Sequence, residues 1–373
     1  MHSGHFNAIR QAKQYCEVLV VGVIAQDEIT KRKGPPVLQY EERLAIAKAC
    51  KWADEICENA PYDPTIELLD RLNCSHVAHG DDMIIGPDGS DAYSMFKESN
   101  RMITFKRTEG ISTTDIVGRL LLMTKNQPNQ DMKKIRKYSQ DSGVAVSKLD
   151  NLTAEEEKNE EVHEVQKEQQ INNQKYQQQV EQAEQKVQKK LKLLNTTKRI
   201  RQFSAGNREP KEGDKIVYID GSFDMLHVGH IQTLQKAKEL GDYLIVGLHD
   251  DEIINEKKGN NYPIYSLQER VLNVLAMKYV DEVIIGAPWN INQNMIKEFN
   301  ISIVVEGSMT KQKVNDQTQV TREDDPYKIP KQMGIYRIVV SACNLTTEKI
   351  VERIIDQRLK YLEIYNERKI KEI

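Results

Sequence analysis

Several features are missing from this sequence, and each absence removes a class of reading. There is no basic surplus: Lys and Arg total 53 against 56 Asp and Glu, a formal charge of −3 with a pI near 6.3. That excludes the cationic footprint of a general nucleic-acid binder and favours a small phosphate ligand. Long apolar runs are absent too. The longest, such as Val18 to Ala25, fall far short of the roughly 20 residues needed to cross a bilayer, and no signal-type segment precedes them, so a soluble, cytoplasmic chain is expected. The five cysteines, Cys16, Cys50, Cys57, Cys74 and Cys343, form an odd set with no CxxC pair. This argues against a disulfide frame or a zinc site and for reduced packing residues, and no metal site is expected. From about Asn151 to Lys190 there is neither Pro nor Gly, and Val162, Val165, Val180 and Val187 are among the few apolar side chains. Such a Glu-, Gln-, Lys- and Asn-rich stretch cannot bury a core; it reads as a spacer, either a solvated helix or disordered, with a partner-binding role open.

What is present is a repeated tetrapeptide. His2-Ser3-Gly4-His5 and His227-Val228-Gly229-His230 hold four of the eight histidines. Where a strand gives way to a helix, the helix N-terminus offers unpaired N–H groups to an anion, the imidazoles add two more donors, and the glycine admits a phosphate close to the backbone. One such tetrapeptide reads equally well as a capped helix start. Here, however, the flanks repeat as well. Leu19-Val20-Val21-Gly22-Val23 matches Leu244-Ile245-Val246-Gly247-Leu248, and Lys33-Gly34 matches Lys258-Gly259, both 225 positions apart. Glu42-Arg43 matches Glu269-Arg270, and Trp52 to Ile56 matches Tyr279 to Val283, both 227 positions apart. A duplicated domain is the economical explanation. In each unit the motif opens an amphipathic stretch (Phe6 to Lys13; Ile231 to Lys238) and leads into a β-branched run (Val18 to Ile24; Tyr243 to Leu248). That is the βαβ pattern of a parallel sheet, whose ligands sit at the carboxyl ends of the strands.

Arg107-Thr108-Glu109-Gly110-Ile111-Ser112-Thr113-Thr114-Asp115 closes the first unit. Ser112 to Asp115 has the form of a capping box, which explains those two residues but not Arg107, a fixed cation placed to share a phosphate with a helix start.

The paired HxGH units, the RTEGIST string and the KWADEI and KYVDEV strings resemble the cytidylyltransferases, over about Met1 to Met123 and Arg199 to Leu362. Lys31 to Pro36, Arg201-Gln202-Phe203-Ser204 and Val217 to Asp224 extend the match. The resemblance implies an α/β fold of two Rossmann-like nucleotidyltransferase domains with parallel sheets, joined by a charged Gln/Glu/Lys-rich linker. The boundaries it suggests are a first domain at 1–125, a helical or disordered linker at 126–212, a second domain at 213–363 and a charged tail at 364–373. It implies transfer of a cytidylyl group from CTP to a phosphomonoester with Mg²⁺ bound to CTP, and the tandem arrangement points to phosphoethanolamine. Peripheral association with the endoplasmic reticulum and a homodimer are compatible with it.

Carried over by matching position, His2, His5, Lys33 and Arg107 are the expected catalytic groups. Ser112, Thr113 and Thr114 mark the nucleotide-binding helix start, and His79 and Asp82 the cytidine end, with His79 reading equally as a strand-end histidine. In the second unit the matches are Ser222, Phe223, His227, His230, Lys258, Glu306, Gly307, Thr346 and Thr347. Lys33 and Lys258 each lie among other lysines and also read as surface charges. Tyr40, Trp52, Tyr62 and Tyr93 are candidates for either pocket or core.

Two departures stand out. The second unit reaches its motif through an apolar strand and loop, Ile216 to Leu226, whereas His2 follows Met1 directly, so the first strand of the first domain is expected to be missing. A start assigned at an internal methionine, or a natural short form, would explain this. The second unit has that strand but lacks RTEGIST, with Val340 expected at the position of Arg107. Alternatives therefore remain open: a truncated, non-catalytic or regulatory nucleotide-binding form, or a cytidylyltransferase for phosphocholine or glycerol 3-phosphate.

Overall fold

The computed structural model describes residues 1–82, 91–108, 116, 118–119, 196–259, 262–308 and 325–357. Ser112, Thr113, Thr114, most of the 126–212 linker and the 364–373 tail lie outside the described residues. Met1–Thr124 and Ile200–Ile373 form one compact unit, and Lys125–Arg199 a second. No described helix is long and apolar enough to cross a membrane.

The first half runs α1 (Ser3–Lys13), β1 (Val20–Ile24), α2 (Gln26–Lys33), α3 (Tyr40–Ala49), β2 (Glu55–Ala60), α4 (Ile66–Arg71), β3 (Val77–Gly80), α5 (Ser94–Glu98) and β4 (Met102–Phe105). The second runs β5 (Ile216–Gly221), α6 (Val228–Lys238), β6 (Tyr243–Leu248), α7 (Asp251–Lys258), α8 (Leu267–Leu275), β7 (Glu282–Ile285), α9 (Gln293–Glu298), β8 (Ile301–Ser308), α10 (Lys328–Gln332), β9 (Tyr336–Val340) and α11 (Thr347–Asp356).

In the second half all five strands are parallel, in the order β7-β6-β5-β8-β9. Helices cover both faces, so β6 is buried along its whole length and reads Tyr-Leu-Ile-Val-Gly-Leu rather than alternating. Strand order reverses at central β5, and the second HxGH follows from its carboxyl end, where a doubly wound sheet binds its ligand.

Among its described residues the first half shows the outer strands of this plan. β1 pairs only with β2 and β3 only with β4, giving two separate two-stranded parallel sheets. Among the described residues no strand lies between β1 and β3, where β5 stands in the second half. The cost shows in burial: of the five β1 residues only Val23 is buried, against all six in β6.

The two halves join about an approximate two-fold axis. The amide of Lys51 donates to the carbonyl of Ala276 at 2.9 Å, and that of Lys278 to Ala49 at 2.9 Å, around an antiparallel bridge of Cys50 with Met277. Each pairing links repeat-related positions, as a self-complementary interface requires. Correspondingly α1 packs on α8 and α3 on α6, and a single apolar cluster includes Phe6, Ile9 and Ile46 with Val271, Leu272 and Leu275. Two ion pairs close the interface reciprocally. Arg353 forks onto Glu42 at 2.8 and 2.9 Å, and Arg119 onto Glu269 at 2.7 and 3.2 Å. Glu42 and Glu269 are the repeat-related N3 carboxylates of the capping boxes that open α3 and α8. Each glutamate thus starts its own helix and holds the other half.

Two outcomes are expected. Amide exchange in the native chain will be faster along β1 and β3, each with an unpaired edge, than along β5 and β6, as read by mass spectrometry. A double-mutant cycle of Glu42→Gln with Arg353→Met will give a coupling energy above about 1 kcal/mol in denaturant unfolding, because the pair is bidentate and half-buried.

Candidate active site

Both tetrapeptides do the same thing locally. His2 and His227 are the N-caps of α1 and α6, with extended backbones, and each accepts on Nδ1 from the second amide of its helix, Gly4 or Gly229, at 3.2 Å. A backbone N–H can only donate, so Nδ1 carries the lone pair and the neutral ring carries its proton on Nε2. Nε2–H is then the donor left for a ligand. The second histidines pack on the first: His5 lies tilted against His2 with ring centroids 4.0 Å apart, and His230 stacks on His227 at 3.8 Å.

Beyond this the halves differ. In the second, the loop of Gly221 to Leu226 arches over the helix start, with Phe223 and Met225 in the left-handed region at φ 45° and 47°. Two non-glycine residues held there are local strain kept by their surroundings. Asp224, 1 % exposed, accepts from the amides of Ile264 at 2.7 Å and Tyr265 at 2.9 Å. Fully buried Arg270 donates to the carbonyls of Ser222, Tyr265 and His249 and to Asp251. Phe223 shelters His230 at 5.3 Å, whereas His5, which has no such loop over it among the described residues, is exposed. Arg43, the repeat of Arg270, has its Nε buried without a partner among the described residues.

All nine sequence-predicted residues of the second unit, Ser222, Phe223, His227, His230, Lys258, Glu306, Gly307, Thr346 and Thr347, line one cavity of about 640 Å³. Lys258 reaches it from the end of α7, with its ammonium 3.4 Å from Ser222 Oγ and 3.9 Å from Glu348. Thr346 Oγ1 caps α11, while Thr347 gives its hydroxyl proton to the Asp224 carbonyl at 2.9 Å. A Cβ on Gly229 would lie 2.9 Å from the Leu345 carbonyl, so this glycine also lets the start of α6 meet the loop before α11. His230 Nδ1 is buried without a partner among the described residues, whereas its repeat, His5 Nδ1, accepts from the His2 amide at 3.3 Å. Sequence reasoning missed Asp220, His249, Trp289 and Tyr327 in the same cavity. Asp220 stands within the Tyr-Ile-Asp-Gly-Ser-Phe-Asp string, but Trp289 and Tyr327 come from distant loops that only the fold brings in. Burial pushes the Asp220 carboxyl up to about 6, against the Tyr327 hydroxyl that donates to it at 2.8 Å.

In the first half, Arg107 and Lys33 both lie within electrostatic reach of His5. Arg107 is held by its amide to Asp81 at 2.9 Å and by its guanidinium to Asp82 at 3.2 Å. Lys33, exposed at the end of α2, stands over the ring of Tyr62. His79 bonds the Gly80 carbonyl and packs on Tyr93 at 4.9 Å, a strand-end histidine beside the site. Tyr62 and Tyr93 are thus site neighbours. Trp52 instead packs on Phe203, and the Tyr40 hydroxyl accepts from the Asn59 amide.

The counterpart of Arg107 requires a correction. Phe105 pairs with Gly80 as Val339 pairs with Gly307, and Gln11 reaches the Lys106 carbonyl as Lys236, its repeat, reaches that of Val340. Arg107 therefore corresponds to Ser341, not Val340. Counting back from the Thr-Thr pair misplaced it by one residue: the strand register sets an offset of 234, which also relates Arg119 to Arg353, whereas matching Thr113 to Thr346 used 233. Ser341 Oγ is committed to Gln232 at 3.1 Å, so the second half has a neutral hydroxyl where the first has a guanidinium.

Burial lowers the pKa of His227 from 6.5 to about 4, against Glu348 and Glu42, which pull upward. His230 is lowered well below 6.5, again by burial first. Folded pKa values below unfolded ones mean that the unfolded chain binds more protons, so this stability is present above pH 6.5 and is lost as pH falls through about 4. His227→Asn keeps a capping oxygen but cannot titrate. It is expected to flatten the fall of Tm between pH 6.5 and 4 as followed by calorimetry.

The cytidylyltransferase-like family model matches residues 1–119 and 218–351. Over 375 residues the chain is 43 % identical to an ethanolamine-phosphate cytidylyltransferase of Dictyostelium discoideum, covering 100 % of this chain and 92 % of that one. It is 39 % identical to a relative of the same name from Arabidopsis thaliana, covering 97 % and 79 %. A third, from Mus musculus, is 37 % identical with 99 % and 86 % covered.

Proposed function

The chain belongs to the cytidylyltransferase-like family, and from that premise we propose that it transfers the cytidylyl group of CTP to phosphoethanolamine, releasing pyrophosphate and forming CDP-ethanolamine for phosphatidylethanolamine synthesis. The observation that carries this reading is the pair of HxGH helix starts with neutral Nε2–H donors, within a chain matched almost end to end by tandem relatives of that name.

In the proposed reaction an oxygen of the substrate phosphate attacks the α-phosphorus in line as the bond to pyrophosphate breaks, so no protein nucleophile is required. The residues position and neutralise. His2 and His5 donate Nε2–H to phosphate oxygens, Lys33 approaches the α-phosphate, and Arg107 meets charge growing on the leaving group. Ser112, Thr113 and Thr114 are assigned to the nucleotide at the following helix start. Mg²⁺ is the assigned cofactor. The cavity groups are mainly N–H, ammonium and hydroxyl donors, which suit phosphate oxygens, so the phosphates rather than side chains would hold the ion and its charge would offset theirs. The free thiols of Cys16, Cys50, Cys57, Cys74 and Cys343 fit a cytoplasmic setting.

We assign turnover to the first half, because it alone carries Arg107. The second half, with Ser341 there, is assigned nucleotide binding. Asp220, Trp289 and Tyr327 also give its cavity an acceptor and rings suited to an ammonium group. A non-catalytic, regulatory reading has one observation in its favour: among the described residues the half with Arg107 lacks the strand and loop that shelter His230 in the other.

The test is product formation by the purified chain with CTP and Mg²⁺, with phosphoethanolamine, phosphocholine and glycerol 3-phosphate in parallel. CDP-ethanolamine is expected, falling more than tenfold with His5→Ala and with Arg107→Ala. Turnover untouched by both substitutions but lost with His230→Ala would move the chemistry to the second half. No product from any substrate, with CTP still bound, would favour the regulatory reading.

A further inference from the structure

The Arg201-Gln202-Phe203-Ser204 string has no part in the site described above, yet it is docked tightly. Phe203 is fully buried and meets Trp52 edge-on at 5.0 Å. Lys51 donates to the Phe203 carbonyl at 2.5 Å and to Asn207 Oδ1 at 2.7 Å, and Asn207 donates to the Asp281 carbonyl at 2.6 Å. The segment is therefore fixed to both halves at once.

A further contact with the first half is made to Arg10, on the helix that His2 and His5 open. Arg10 is 7 % exposed, and its partners among the described residues are neutral. Its Nε and Nη2 donate to Asn7 Oδ1 at 3.1 and 3.0 Å, Nη2 also reaches Gln202 Oε1 at 3.4 Å, and the guanidinium lies 5.9 Å from the Phe203 ring centroid. A buried cation without a carboxylate is costly unless its donors are satisfied. Here they fix the Asn7 amide. With Oδ1 doubly bound, Asn7 Nδ2 points the other way and donates to Thr108 Oγ1 at 2.8 Å. Thr108 is the neighbour of Arg107.

The helix-to-loop bond has a counterpart, Ser341 to Gln232, the repeat of Asn7, but the arginine above it does not. The repeat of Arg10 is Gln235, whose carbonyl oxygen lies 3.3 Å from the Tyr279 hydroxyl and whose amide reaches Glu239. Duplication supplied two equivalent faces, and the segment engages the one that leads to the arginine loop.

We infer that residues 202–207 are a strap that positions the Arg107 loop through Gln202, Arg10, Asn7 and Thr108, so that the chain leaving the linker sets CTP handling in the first half. This rests on the assignment of turnover to that half. Arg10 and Asn7 are positioning residues.

The full chain would be compared with Gln202→Ala, Arg10→Lys and Asn7→Ala, with Arg107→Ala as control. Arg10→Lys keeps the charge but loses the fork. Amide exchange of the peptide covering 101–108 is expected to rise at least threefold in all three, with β5 unchanged, and KM for CTP to rise about fivefold with kcat less affected. On an Arg107→Ala background Arg10→Lys should add nothing to the KM, which a merely structural role would not produce. Unchanged exchange at 101–108 overturns the strap. Faster exchange with KM unmoved, and Arg107→Ala without effect, overturns instead the assignment of turnover to the first half.

Discussion

The antiparallel meeting of Ala49–Lys51 with Ala276–Lys278 is the constraint on which everything else rests. A parallel sheet divided at its centre exposes two edges and part of its apolar face, and two-stranded fragments are not stable alone. Among the described residues of the first half, β1 and β3 each keep an unpaired edge, and support comes from outside the sheet. Phe6, Ile9 and Ile46 pack in the same apolar cluster as Val271, Leu272 and Leu275. The second half, with its five strands, acts as the template on which the first is held.

The same interface explains the Glu-Arg dipeptide that repeats in the two halves. Glu42 and Glu269 each cap their own helix and bind the other half's arginine. Arg43 and Arg270 turn inward and gather carbonyls at the ends of β1 and β6. One dipeptide thus joins interface and site, and Glu42 even acts electrostatically on His227 across the boundary. The halves differ where these arginines find acceptors: Arg270 has the Ser222 carbonyl, in a loop without a described counterpart in the first half.

The proposed division of labour rests on those differences. The half with the strained, sheltered loop has Ser341, and the half with the guanidinium leaves His5 exposed. Because binding a phosphate and stabilising a departing one ask for different groups, two copies of one fold can separate along that line.

Much of this was legible in the residues. HxGH determines a capped helix start because His at the N-cap supplies an acceptor on Nδ1, a local property needing only neighbouring amides. The 225- and 227-residue offsets determine the duplication, and the unbroken apolar run of Tyr243 to Leu248 determines a strand covered on both faces. Missing information was always of one kind, namely which distant residues meet. Counting along the chain put Val340 opposite Arg107, while strand register, set by long-range hydrogen bonds, put Ser341 there. Trp289 and Tyr327 joined the cavity, and Gln202 and Phe203 met Arg10, only through the fold. Local order is fixed by neighbours a few residues apart, which the sequence displays. Sites and straps are fixed by packing across more than a hundred residues, which only the tertiary structure decides.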